Sequence, residues 1–183
     1  MLCTVKFQRK RDLRYHFLRK NVQDPVNRVQ DALDALGLDI HVRRFEASTG
    51  TAPEAAAVVG CELGAIVKSL CFLIDGQPVL VLAAGDRQVD SKALRRIYGV
   101  SKRGVRIADP QTVEAETGFS VGGVPPLGHL RSLPTLVDLS LSRFETVYAA
   151  AGSANSLFPI PYETLVEVTH GQVHDLTRES VAT

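Results

Sequence analysis

Residues 65–84 constrain the fold more than any other stretch of this chain. Ala65 to Ile74 and Val79 to Ala84 are rich in β-formers and are joined by Asp75-Gly76-Gln77-Pro78, the pattern of a hairpin. Alternation along the first segment places Lys68 on the face of Ile66, Leu70, Phe72 and Ile74, which is otherwise wholly apolar. A buried ammonium without a partner is costly, so Lys68 is expected at the mouth of a cavity, where it meets an anion. The competing reading is an edge-strand lysine that discourages strand addition, or one that snorkels past the core.

A second constraint is the stretch Thr117-Gly118-Phe119-Ser120-Val121-Gly122-Gly123-Val124-Pro125-Pro126-Leu127-Gly128-His129. Glycine lets the backbone approach a ligand closely, while proline freezes φ and removes an N–H. A loop of this kind holds a few amide donors in a fixed arc, which suits an oxyanion or a phosphate. Taken alone it reads equally well as a double bend between two elements.

Helices and further strands fill in around these two features. Asp24-Pro25 reads as an N-cap and first helical residue, with Val26, Val29, Leu33 and Leu36 following at helical spacing until Gly37. Ile40, Val42 and Phe45 suggest a short strand, and Thr51-Ala52-Pro53-Glu54 has the capping-box pattern of a helix ending at Gly60. Ser91 to Tyr98 and Asp109-Pro110 to Gly118 read as helices, and Thr135–Leu139 and Glu145–Ala150 as strands. A short helix is expected from about Pro161 to Leu165. A last hairpin is expected to join Val166–Thr169 to Val173–Leu176. Strands in local pairs with helices between them predict an α+β fold with a mixed or mostly antiparallel sheet.

Composition narrows the class. Hydrophobic residues make up 45% of the 183 and charged residues 22%, enough to build a core. No apolar run approaches the roughly 20 residues a membrane span needs. The three cysteines (Cys3, Cys61, Cys71) follow no secretory signal, which predicts reduced thiols in the cytoplasm. Residues 1–20 hold seven Lys/Arg against Asp12 alone, a basic arm of +6, while residues 21–183 carry 14 basic and 19 acidic residues and read as a single domain. That acidic balance is not the evenly basic face of a dedicated nucleic-acid binder.

Several residues together resemble one known family. Ile66-Val67-Lys68-Ser69-Leu70, Gly85-Asp86 after the next strand, Thr117-Gly118-Phe119 leading into Gly122-Gly123-Val124-Pro125-Pro126-Leu127-Gly128, and Ala151-Gly152-Ser153 are similar in order and separation to the YbaK/EbsC family. These are aminoacyl-tRNA deacylases related to the editing domain inserted in bacterial prolyl-tRNA synthetases. The resemblance covers roughly residues 25–178. It implies a compact barrel-like sheet flanked by helices, and hydrolysis of the ester linking a mischarged amino acid to the terminal ribose of tRNA. It implies that Lys68 contacts the tRNA end, that Gly122 and Gly123 present amides to the ester, and that Val124, Pro125 and Pro126 shape the pocket. Gly152 and Ser153 would close the far side. Asp86 and His129 are further candidates near the substrate, set against a turn residue and a surface histidine. Water activation is expected to lean on the substrate's ribose hydroxyl and on backbone groups, with no metal and no organic cofactor. The partner implied is the acceptor end of an aminoacyl-tRNA, with an aminoacyl-tRNA synthetase as a second candidate and no membrane. Oligomeric state and the amino acid removed stay open.

The sequence departs from the family at two positions. Pro125 stands where many relatives carry serine, and Ser153-Ala154-Asn155 follow the late glycine where an arginine or glycine is common. A non-catalytic paralogue that binds tRNA ends or a tRNA-handling enzyme is therefore the alternative, and a pocket for a small anionic metabolite is a third reading. Other chemistries are poorly supplied. His170 and His174 are spaced by four but flanked by Gly171 and β-formers, and Ser69 and Ser120 lack a triad order. Cys61 and Cys71 read as core or strand residues.

Overall fold

The structure, a computed structural model, describes residues 24–179; the basic arm lies outside them. Helix α1 (Pro25–Ala35) starts where Asp24 accepts the Val26 N–H at 3.0 Å, and it buries Val26, Val29 and Leu33. The strand expected over 40–45 shrinks to β1 (Arg43–Arg44). Its backbone has another partner: the Gln30 side chain donates to Ile40 O at 3.0 Å and accepts the Val42 N–H at 2.8 Å. Helix α2 (Ala52–Val59) carries the full capping box of Thr51 and Glu54 and ends on Gly60 at φ +75°.

The hairpin is β2 (Ile66–Ile74) and β3 (Gln77–Ala84), paired from Val67↔Ala84 to Ile74↔Gln77. Its turn is only Asp75-Gly76, both at positive φ, which suits a two-residue reversal and brings Gln77 and Pro78 into the strand. After it come β4 (Arg87–Val89), α3 (Ser91–Tyr98), β5 (Val105–Ile107) and α4 (Pro110–Thr117). The chain then runs through β6 (Thr135–Asp138), β7 (Thr146–Ala150), β8 (Ser156–Pro161), α5 (Tyr162–Thr169), β9 (Gln172–His174) and β10 (Thr177–Glu179).

The main sheet runs β1-β8-β7-β2-β3-β6-β9, with β5 also paired to β2, while β4 and β10 form a separate pair. The β2–β7, β3–β6 and β6–β9 pairs are parallel and the others antiparallel, so the sheet is mixed and mostly antiparallel. It does not close: among the described residues the barrel-like expectation gives way to an open path ending at β1 and β9. The expected hairpin over 166–176 is also absent from the described residues. Residues 162–169 are helical, with Tyr162 and Leu165 buried at helical spacing, and β9 pairs in parallel with β6. Strand β8 escapes the sequence patterns because Pro159 and Pro161 interrupt it; they lie beyond its two-residue pairing with β1, where the outer edge needs no N–H.

Packing uses both faces of β2. Val67, Cys71 and Leu73 enter the principal core with Leu33, Leu80, Leu82, Phe119 and Phe158. Phe72 and Ile74 enter a second cluster with Leu94, Val79, Val81 and Leu176. The β2 ladder opposite β3 is interrupted. Ile66 and Val67 pair with β7, residues 72–74 pair with β5, and Cys71 O accepts the Ala108 N–H at 2.9 Å. Among the described residues Lys68–Leu70 have no strand on that side, and alternation turns the Ser69 N–H and C=O into the gap.

Candidate functional site

A cavity of about 240 Å³ opens at this gap. The strand supplies Ile66 through Leu70, the start of α2 supplies Thr51, Ala52 and Ala55, and the glycine loop supplies Val121, Gly122 and Val124. Lys68 and the glycine loop thus share one hollow. A larger cleft of about 410 Å³ beside Tyr98, Leu133 and His170 contains none of the residues expected to handle the substrate.

The loop wall is built from backbone. Gly122 adopts φ +89°, a conformation open to glycine. The Gly123 N–H is spent on Ser120 O at 3.0 Å, and the Gly123 carbonyl accepts the Gly152 N–H at 2.9 Å. The Gly122 and Val124 N–H groups meet no acceptor among the described residues, and both residues line the cavity. Gly123 instead permits close packing: a Cβ there would lie 2.8 Å from the backbone of Ser153.

Behind the loop stands a second set of contacts. Arg28 of α1 donates to Gly118 O at 2.6 Å and stacks 3.9 Å over the Phe119 ring. Phe119 meets His129 edge-on at 6.0 Å, and His129 Nε2 lies 2.8 Å from Pro125 O. Burial, with the Arg28 charge adding to it, holds the His129 imidazole below its ordinary pKa; the hydrogen bond to Pro125 opposes that shift. His129 therefore braces the loop at Pro125, and neither these two residues nor the buried Pro126 lines the cavity.

The strand wall is built from side chains. The Lys68 ammonium donates to Arg87 O, and burial lowers its pKa while the charges of Asp86 and Asp138 raise it. Asp86 does not line the cavity. Arg143 grips it through two hydrogen bonds of 2.9 and 2.7 Å, and that pairing keeps its carboxyl below the usual range. Two buried hydroxyls on the cavity wall, Thr49 Oγ1 and Ser69 Oγ, have no hydrogen-bond partner among the described residues. Sequence patterns single out neither as a contact; only the capping box at Thr51, two residues from Thr49, marks the place.

Gly152 and Ser153 lie behind Gly123 and outside the cavity lining. Gly152 sits at φ +93°, and Ser153 Oγ donates to Asn155 Oδ1 at 2.7 Å. Cys61 and Cys71 are free thiols, both pushed up in pKa mainly by burial. His170 ends α5 at φ +48°, and His174 lies on β9. Among the described residues no helix is long and apolar enough to cross a membrane.

Comparison with known proteins adds three likenesses and a family. The family model "Aminoacyl-tRNA editing domain" matches residues 46–168. The chain is 27% identical over 128 residues to the "Putative Cys-tRNA(Pro)/Cys-tRNA(Cys) deacylase EbsC" of Enterococcus faecalis, covering 69% of this chain and 77% of that protein. It is 37% identical over 78 residues to a proline–tRNA ligase of Nitratidesulfovibrio vulgaris, covering 43% of this chain but only 13% of the ligase. A solved structure described as a "putative trans-editing enzyme for prolyl tRNA synthetase" superposes with a TM-score of 0.80 at 38% identity, over 86% of this chain and 99% of that one.

Proposed function

Because the chain belongs to the aminoacyl-tRNA editing domain family, we propose that it is a trans-acting deacylase that hydrolyses the ester of a mischarged tRNA. The observation that carries this reading is the convergence on one small cavity of Lys68 with Gly122 and Val124, whose amides have no acceptor among the described residues. Water adds to the ester carbonyl carbon, the bond to the ribose oxygen breaks, and the proton from water passes to that oxygen. The cavity lining contains no carboxylate or imidazole among the described residues, so the site's contribution is electrostatic. The two amides stabilise the developing oxyanion, and Lys68 holds the anionic end of the RNA. In other acyl-transfer enzymes one such donor contributes about 2.7–4 kcal/mol.

The aminoacyl group fits the strand side. Its α-ammonium is a donor, and the Ser69 carbonyl and the hydroxyls of Ser69 and Thr49 are acceptors without partners among the described residues. A volume of about 240 Å³ lies below the range of roughly 300–1,000 Å³ typical of drug-sized ligands, which suits a single aminoacyl group. With the names borne by the relatives, this favours tRNA-Pro carrying a small non-cognate residue. Pro125 and Ser153, the two departures from the family pattern, stand behind the cavity wall, which favours hydrolysis over a binding-only paralogue. Release of amino acid from Ala-, Cys-, Ser- and Thr-charged tRNAs tests the proposal. At least one is expected to be hydrolysed by the wild type and spared by Lys68→Ala; undiminished deacylation by that variant rejects the role of Lys68.

A further inference from the structure

The eighteen residues 91–108 contain Lys92, Arg95, Arg96, Lys102, Arg103 and Arg106 and no acidic residue. They are six of the fourteen basic residues beyond residue 20, in a region of −5 overall, so the positive charge is gathered and not scattered. On α3, Lys92, Arg95 and Arg96 share one helical face, while Ala93 and Leu94 are buried on the other. Lys102 and Arg103 lie on the 3-10 turn after α3, and Arg106 lies on β5. All are exposed except Arg95, which is half-buried, and none joins an ion pair among the described residues. Asp90 and Asp109 bracket the segment, but their carboxylates are turned to the backbone of Lys92 and Thr112. Asp75, at the hairpin turn against Gly104, is an acid pressed into the patch.

Strand β2 connects this surface to the cavity. Lys68 lines the cavity, and Phe72, on the same face of β2 and opposite Ile107, is four residues further along the strand. At a rise of about 3.3 Å per residue the separation is roughly 13 Å. Phosphates on one strand of a stacked duplex advance about 3.4 Å each along the axis, so some four nucleotides span it. Exposed Ile107 and the half-exposed Tyr98 add apolar surface among the charges, which a purely solvated face does not need.

We propose that the face formed by α3, the 3-10 turn and β5 docks the phosphate backbone of the tRNA acceptor arm while the aminoacylated end enters the cavity. This rests on the deacylase reading for its partner but on different residues for its support. Each phosphate neutralised releases counterions, so removing one contact lowers the slope of log affinity against log salt by about one.

The test uses the full chain and two variants, Arg96→Glu with Arg103→Glu, and Lys102→Glu with Arg106→Glu. Binding of uncharged tRNA is measured across a salt series, and deacylation is measured on whole aminoacyl-tRNA and on a short aminoacylated CCA oligonucleotide. The expected result is a salt slope about two lower for each double variant. KM for whole tRNA is expected to rise with little change in kcat, and the short substrate to be cleaved as by wild type. Unaltered tRNA affinity and salt slope in both variants would overturn the docking surface, as would an equal loss on both substrates. Absence of any deacylation by the wild type would instead fail the catalytic reading, while the salt series still decides the docking surface.

Discussion

The two walls of the cavity are made of different material. The loop wall, Val121 to Val124, offers main-chain amides held by close backbone packing against Ser153 and braced by Arg28, Phe119 and His129. The strand wall, Ile66 to Leu70, offers side chains and one unpaired stretch of ladder. The difference separates two kinds of vulnerability. Substitutions in the loop should act by moving atoms they do not own, whereas substitutions on the strand should remove a group and leave the fold standing.

Gly123→Ala should have the largest effect. Its methyl would meet the Ser153 backbone at 2.8 Å and push the loop off its arc. Overpacking of this kind costs about 1–3 kcal/mol of stability, which denaturant titration would read. Displacement of a single amide should lower turnover about 100- to 1,000-fold. Near-wild-type turnover would break the contrast between the two walls.

Lys68→Ala should cost activity without costing stability. A hydrogen bond to a charged group contributes about 1.5–3 kcal/mol, so a roughly ten- to hundredfold loss is expected. The thermal midpoint should hold or rise, since burial makes the ammonium costly. Because the cation is the working form and its pKa is lowered, activity should fall as pH rises through a value below that of an ordinary lysine. Lys68→Arg should move that alkaline limb upward. A limb unmoved by the change would assign it elsewhere.

Thr49→Val and Ser69→Ala each delete a buried hydroxyl that has no partner among the described residues, an arrangement that costs about 1–3 kcal/mol. Both variants should be slightly more stable and bind the aminoacyl end less well, seen as a raised KM. Lower stability in both would mean that these hydroxyls are satisfied in the protein.

His129 should give the smallest effect. Its folded-state pKa is lowered, so as pH falls the unfolded chain takes up the proton first. Stability is intact above about pH 6.5 and declines below it, no more steeply than about 1.4 kcal/mol for each pH step of one, the limit for a single proton. His129→Gln should flatten that acid-side decline in a pH series of thermal midpoints.

Local signals made much of this readable from sequence. Capping pairs such as Asp24-Pro25, Thr51 with Glu54, and Asp109-Pro110 placed α1, α2 and α4 because a helix start is decided by neighbours in the chain. The β2–β3 hairpin followed from its own turn. What escaped was decided at a distance. Strand β8 carries prolines that only its position at an edge excuses. The β-formers Val166 and Val168 were drawn into α5 by its packing on the core. At the site, Lys68 was visible because a charge breaks an apolar face, and Gly122 because it needs a special backbone. Which amides stay unspent depended on a turn bond from Gly123 to Ser120, and Thr49 depended on a tertiary approach that no short pattern encodes.

The interruption in β2 has one more consequence. An unpaired run inside a sheet would ordinarily invite another polypeptide to add itself, but here β7 and β5 stand as jambs on either side of only three residues. At about 3.3 Å per residue the aperture is roughly 10 Å wide. An extended peptide cannot lie along such an opening, so the gap offers no usable edge for strand addition and guards the sheet against aggregation.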